Sequence, residues 1–300
     1  MAMLTPATVN ALLVEHGLRP KKSLGQNFLV DPNTARRIVA RAELPPGMPV
    51  LEIGPGLGSL TLALVAEGHE VVALELDARL AEVLRSVLDA TTDATADADA
   101  EGRGRVRIEV GDACAVDLQG LLEGTPGPWA CVSNLPYNVA VPVVLHLLQV
   151  VPTLRTVLVM VQKEVADRLA AGPGSRVYGV PSVKARWYCD VEAAGNIGTS
   201  VFWPVPHVES GLVRMIRREP PPSQAGRAAT FVVIDAAFSQ RRKTLRSALS
   251  AVAGSPAAAE QALRAAGVEP SLRGEQLDVA AFARIADALE GERASTGESA

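Results

Sequence analysis

Cysteine is scarce in this 300-residue chain: Cys114, Cys131 and Cys189 are all there is, and no two stand as C-x-x-C. An odd, unpatterned set argues against a disulfide framework and a cysteine zinc site, and it suits a reducing compartment. Histidine is sparse too. His16, His69, His146 and His207 show no ligand spacing, so no metal is expected. No apolar run approaches the roughly 18 residues needed to cross a bilayer. At the start, MAMLTPATVNALLVEHGLRPKK puts its charge after the apolar stretch and offers no clear small-residue cleavage site. A secretory leader and a membrane partner are therefore not expected, and cytoplasmic residence is.

Positive charge is in deficit, with 29 Lys and Arg against 33 Asp and Glu and a formal net of −4. The distribution matters more than the sum. Acidic residues collect in DATTDATADADAEG (89–102) and in EGERASTGESA (290–300). Basic residues collect elsewhere, at Arg19-Pro20-Lys21-Lys22, at Arg36-Arg37, and at Arg241-Arg242-Lys243 with Arg246. A nucleic-acid partner stays open, as does a merely solvated face for any one cluster.

From Pro49 onward, short apolar runs alternate with helical spacing. VLEIG (50–54), EVVALEL (70–76), RVRIEVGDA (105–113), ACVSNLPY (130–137) and TVLVMVQ (156–162) read as strands, with helices between them. VKARWYCDVEAAGNI and SGLVRMIRR read as two further strands that close the sheet. The fold class expected is α/β: a Rossmann-like, mostly parallel seven-stranded sheet flanked by helices. A Pro/Gly/Ser linker, PPPSQAG (220–226), leads to Ala, Leu and Arg at helical spacing, a small C-terminal all-helical domain. The boundaries expected are 1–48 for an N-terminal segment and cap, 49–219 for the sheet domain, 227–290 for the helical domain and 291–300 for a disordered tail. The 89–102 insert reads as a surface loop.

Gly54-Pro55-Gly56-Leu57-Gly58 follows the first of these strands and opens a helix, so a ligand can approach its backbone closely. Its G-x-G-x-G spacing departs from the dinucleotide fingerprint G-x-G-x-x-G. Glu75 ends the next strand, where an acid accepts ribose hydroxyls, and Asp112 ends the one after. Either acid alone also suits a helix cap. Together with the loop they point to one crevice beyond the carboxyl ends of the strands, open to an adenosyl cofactor or a dinucleotide.

Asn134-Leu135-Pro136-Tyr137, at the end of the fourth strand, separates the two. The exocyclic amine of adenine is a poor nucleophile because its lone pair is delocalised into the ring. Two acceptors, the Asn134 side-chain oxygen and the Leu135 carbonyl, would hold both amine hydrogens and favour a pyramidal nitrogen. Pro136 stiffens the turn and has no N–H to compete for acceptors. Tyr137 offers a ring for an extruded base, worth roughly 1–3 kcal/mol. No general base is required; the chemistry is positioning of the amine in line with a sulfonium methyl.

With these residues in hand, the sequence resembles the ribosomal RNA adenine N6,N6-dimethyltransferases, in the branch acting on small-subunit 16S rRNA. The likeness runs from KKSLGQNFL (21–29) to about Leu249. It rests on GQNFL, LEIGPGLGSLT, ELD, GDA, NLPYN, QKEVADRLAAGPGS, FWPVPHVESGLVR and FSQRRKTLRSAL. It implies a class I methyltransferase with S-adenosyl-L-methionine as methyl donor and no metal. Asn27 and Leu29 are implied to cover the cofactor, with Gly54, Glu75, Asp112 and Asn134 touching it. Gly56, Leu76 and Ala113 join them from the same motifs. Phe202 is implied as a second aromatic wall, sandwiching adenine against Tyr137; a buried core Phe is the alternative. The implied reaction is dimethylation of adenines, two adjacent ones in a hairpin loop near the 3′ end of 16S rRNA, during ribosome biogenesis. Two departures stand out: Ser133 where glycine is expected, and the length of the 89–102 insert.

Arg241, Arg242, Lys243 and Arg246 lie at i, i+1, i+2 and i+5 and cannot share one helix face, so some are expected on phosphates and others paired within the protein. Lys21, Lys22, Lys163 and Arg168 are further RNA candidates. Phosphate contacts position RNA without reading it, and RNA recognition leans on shape. The partner expected is therefore 16S rRNA within the small subunit or an assembly intermediate, met by a monomer. Alternatives are a large-subunit rRNA methyltransferase giving antibiotic resistance, a non-catalytic RNA-binding assembly factor, and a dinucleotide oxidoreductase.

Overall fold

The computed structural model describes residues 4–20, 26–93, 105–125 and 127–296. The chain divides into two compact units, Met1–Ala166 with Glu192–Arg217, and Asp167–Val191 with Arg218–Ala300. The first opens with α1 (Pro6–Glu15), the two-residue strand β1 (Phe28–Leu29) and α2 (Pro32–Ala42). Then come β2 (Val50–Ile53), α3 (Ser59–Ala66), β3 (Val71–Glu75), α4 (Ala78–Asp93), β4 (Val106–Val110), α5 (Leu118–Leu121), β5 (Trp129–Asn134), α6 (Ala140–Val150), β6 (Leu154–Gln162) and the start of α7 (Lys163–Ala170). After α8 (Val180–Tyr188), in the second unit, follow β7 (Cys189–Ile197), β8 (Phe202–Trp203) and β9 (Ser210–Arg217).

Local chemistry explains these elements. Pro32 starts α2 where a missing N–H does no harm, and the Asp31 carboxylate caps it by accepting the Thr34 N–H at 3.0 Å. Ala35, Ile38, Val39 and Ala42 face inward while Arg36, Arg37 and Arg41 stay outside. By contrast α3, SLTLALVA, is buried from Ser59 through Val65, as an all-round apolar helix must be. Strands β2 and β3 are buried at every residue, the pattern of parallel strands covered on both faces. Each fully buried Leu or Val here contributes about 1.5–3 kcal/mol.

Seven strands form one sheet in the order β4-β3-β2-β5-β6-β9-β7. The first five are parallel and β9 runs antiparallel to β6. This is the expected α/β architecture. The chain moves outward from β2 to β3 to β4, then returns to lay β5 on the other side of β2. Ligand crevices form beyond the carboxyl ends at such a reversal. A separate antiparallel ribbon pairs Phe28 with Trp203 and Leu29 with Phe202.

The second unit holds α8 with α9 (Gly226–Ser239), α10 (Leu245–Ala248), α11 (Ser250–Ala253), α12 (Pro256–Ala265) and α13 (Val279–Thr296). Six of the chain's eleven aromatic residues lie in it: Tyr178, Trp187, Tyr188, Phe231, Phe238 and Phe282. Phe231 meets Trp187 and Tyr188 edge-on at 6.0 and 6.2 Å, and Phe238 meets Tyr178 at 6.0 Å. These contacts hold residues 167–191 with the C-terminal helices, whereas the sequence assigned them to the sheet domain.

Other expectations need correction. VKARWY is not strand: residues 183–188 belong to α8, and β7 begins at Cys189. Its alternation of Val183, Ala185 and Trp187 with Lys184 and Arg186 imitates a strand. Arg186 instead donates to the Leu169 and Ala170 carbonyls, both at 2.9 Å, and the helix follows. The 89–102 insert is helical through Asp93, where α4 ends; residues 94–102 lie outside the described residues. The expected tail is also helical at 291–296, within α13.

Candidate active site

The three loop glycines after β2 all have left-handed backbones, with φ of 68° at Gly54, 57° at Gly56 and 92° at Gly58. A Cβ on Gly58 would collide with Leu84, and one on Gly56 would sit 3.2 Å from the Phe28 ring. Glycine is therefore required for conformation and for space. The loop's neighbour is Glu75, whose Oε2 accepts the Gly56 N–H and Oε1 the Asp77 N–H, each at 3.0 Å. Burial raises the Glu75 pKa, and the N–H groups of Asp77, Gly56 and Leu76 oppose it.

Across from this loop, at the end of β5, the Asn134 amide donates its Nδ2 hydrogen to the Asn27 carbonyl at 3.3 Å. Leu135 is buried and gives its N–H to Met160 on β6 at 3.0 Å. The Pro136 carbonyl accepts the Val139 N–H at 3.2 Å. A Cβ on Gly54 would lie 3.9 Å from the Pro136 ring, so loop and tetrapeptide are in near contact. Tyr137 is partly buried, and its hydroxyl lies 3.0 Å from the Oγ of buried Ser210 on β9.

One crevice unites these pieces. Its walls are Gln26 to Leu29, the glycine loop, Glu75 to Asp77, and Asn134 to Val139. Asn27, Leu29, Gly54, Gly56, Glu75, Leu76 and the whole tetrapeptide thus converge as the sequence suggested. Asp112 and Ala113 lie outside this lining; Asp112 Oδ1 accepts the Cys114 N–H at 2.9 Å and caps its own turn.

Phe202 needs correction as a base wall. It is 2% exposed, pairs with Leu29 across the β1–β8 ribbon, and packs in the core with Ile38, Ile197 and Leu212. A ring so enclosed has no face to offer a base.

Sequence reading passed over the crevice floor. Glu52 of β2 lines it, 1% exposed, and accepts the Thr61 hydroxyl at 2.6 Å. Burial pushes its carboxyl up to about 8; the Thr61 hydroxyl opposes and Glu75 adds. Ser133 Oγ, also buried, accepts the Ile53 N–H at 2.8 Å and lies 3.4 Å from the Cys131 sulfur. Burial takes the Cys131 thiol to about 12, against the Ser133 hydrogen bond and helped by Glu52. The signal available was an acid inside an otherwise apolar strand, VLEI.

Of the basic candidates, Arg241 donates to the Arg176 and Tyr178 carbonyls at 3.0 and 3.1 Å and pairs with Glu275 at 3.3 Å. Arg246 pairs with Glu260 at 2.8 Å. Arg242 and Lys243 are exposed and form no ion pair among the described residues. Lys163 and Arg168 are partly buried on α7. Lys21 and Lys22 lie outside the described residues. No group of three or more His, Cys, Asp or Glu among the described residues could hold a metal.

The residues present fit an adenosyl cofactor. The three loop glycines bring no side chain to obstruct it, a carboxylate is fixed at the β3 end, and Leu76 beside it is 57% exposed and free to cover a ring. A sheet of this order, with its crevice at the β2–β5 reversal, is that of a class I methyltransferase.

Comparison with known proteins narrows the class. Residues 17–290 match the family described as Ribosomal RNA adenine dimethylase. The chain belongs to that family. It is 56% identical to Ribosomal RNA small subunit methyltransferase A of Thermobifida fusca, over 95% of this chain and 96% of that protein. The protein of the same name from Streptomyces coelicolor is also 56% identical, with the same coverage. Among solved structures, a dimethyladenosine transferase from Plasmodium falciparum shares the fold with a TM-score of 0.70 at 22% identity, covering 90% of this chain and 98% of that one. The 23S rRNA methyltransferase ErmE is similar with a TM-score of 0.62 at 27% identity, covering 88% of this chain and all of the other.

Proposed function

We propose that this chain transfers methyl groups from S-adenosylmethionine to the N6 amine of adenines in small-subunit 16S rRNA, two per adenine, during ribosome biogenesis. Identities of 54–56% to small-subunit enzymes over nearly the whole chain favour that branch over the large-subunit one.

The observation that carries the chemistry is the Asn134 amide. Its nitrogen is committed to the Asn27 carbonyl, so Oδ1 is the atom left to accept from a substrate amine. The Leu135 carbonyl is the second acceptor, on a residue whose own N–H is held by the Met160 carbonyl. The cofactor, when bound, supplies an electrophilic methyl; the tetrapeptide's part is to hold the amine in line and pyramidal. Tyr137, fastened through Ser210, supplies the stacking face. Arg242 and Lys243 hold phosphates, Lys21, Lys22, Lys163 and Arg168 add to the RNA surface, and Asp112 and Ala113 touch the cofactor. The protein works in the cytoplasm as a monomer on RNA assembled in the subunit or its precursor, without metal or membrane.

The test supplies labelled methyl donor with under-methylated small subunits, naked 16S rRNA and large subunits in parallel, followed by nucleoside analysis. Dimethyladenosine on small subunits alone is expected, with Asn134→Ala slower by about a hundredfold or more. Label on large subunits instead would move the protein to the other branch. Tight RNA binding without label would make it an assembly factor.

A further inference from the structure

Beneath the glycine loop lies a carboxyl group that the cofactor contacts described above leave unused. Glu52 sits in a strand buried at every residue, yet it lines the crevice beside Gly54, Gly56 and Asn134. Thr61 of α3 donates to its Oε2; Oε1 has no hydrogen-bond partner among the described residues. The titratable groups facing it are Glu75 from β3 and Cys131 from β5, and α3 presents only the Thr61 hydroxyl. No Lys, Arg or His among the described residues pairs with it.

An isolated carboxylate in such surroundings is costly. Burial accordingly lifts Glu52 to about 8, so near neutral pH its carboxyl in the cofactor-free protein keeps its proton. S-adenosylmethionine carries a sulfonium, a fixed positive charge that its thioether product lacks, while both carry the same ammonium and carboxylate. A cation close to a buried carboxyl favours the ionised form.

We propose that Glu52 is the counter-charge by which the crevice distinguishes the sulfonium cofactor from its neutral thioether product, releasing its proton to solvent on binding the one and keeping it on binding the other. This rests on the reading of the crevice as the S-adenosylmethionine site. The step is a proton transfer alone: the O–H bond of Glu52 breaks, the electron pair stays on the carboxylate, and solvent takes the proton. Once the methyl has left, the carboxylate has no counter-charge, takes a proton back, and weakens the hold on product.

Isothermal titration calorimetry of the full chain at about pH 7, in two buffers of different ionisation enthalpy, reads this directly. S-adenosylmethionine should release most of one proton per site and the thioether product none, and the release should fade by about pH 9. Glu52→Gln should abolish the release and lower the preference for cofactor over product by about tenfold. Equal release with both ligands, no release while both bind, or an unchanged preference in Glu52→Gln would each overturn the proposal. Binding of neither ligand would overturn the cofactor reading and this proposal with it. Should Glu52→Gln not fold, the two ligands and the pH dependence in the unaltered protein decide.

Discussion

The ladder between β2 and β5 ends at Leu51 and Cys131, and beyond it the Ile53 N–H is taken by the Ser133 side chain. That hydroxyl ties the residue before Gly54 to the residue before Asn134. Ser133→Ala leaves a buried donor unsatisfied, and its urea midpoint should correspond to a loss of about 1–3 kcal/mol. Glu52 makes stability depend on pH in a definite direction. Its carboxyl has an ordinary value of 4.5 and a folded value of about 8, so between these the folded state holds more protons than the unfolded one. Stability therefore falls as pH rises through that window, with Glu75 acting in the same direction. Denaturation of the cofactor-free protein at a series of pH values should show the fall, and Glu52→Gln should make it shallower. Tyr137→Ala removes a stacking face worth about 1–3 kcal/mol, expected as roughly a 10- to 100-fold drop in kcat/KM for RNA. Ser210→Ala, which frees the Tyr137 hydroxyl but keeps the ring, should lose less.

At the scale of elements, the second unit depends on rings that lock helices together. Phe282 of α13 is fully buried, 6.1 Å from Phe238 of α9. Phe282→Ala should cost about 3–5 kcal/mol, measured by denaturant unfolding. The β2, β3, β5 and β6 strands were legible in the sequence because each is a short apolar run followed by a turn or a helix start, signals confined to neighbouring residues. The glycine loop and the tetrapeptide were legible for the same reason. What decided α8 was not local: Trp187 and Tyr188 take their places from Phe231, some forty residues on. Phe202 likewise sits where a two-residue ribbon with Phe28 and Leu29 puts it, and no periodicity can report a pairing so short. The role of Ser133 was hidden because its partner, Ile53, is 80 residues away.

For the whole molecule, net charge says little and placement much. Arg241 is fastened to carbonyls, whereas Arg242 and Lys243 face solvent. Replacing Arg242 and Lys243 together by Ala should reduce the slope of log affinity against log salt by about one to two on RNA, with the thermal midpoint unchanged. Arg241→Ala should lower the midpoint. The crevice itself joins distant stretches: Asn134 reaches Asn27 across 107 residues of chain, and Leu135 is held by Met160. A chain made from its N-terminus exposes the glycine loop and Glu75 early, yet has no amine acceptor until β5 and β6 have followed. In chain order, the hydrogen bond between Asn134 and Asn27 closes a long loop. Lengthening that loop adds little to the closure entropy, about 0.6 kcal/mol per doubling. An acidic insert between β3 and β4 is therefore the kind of growth this enzyme can carry without disturbing its chemistry.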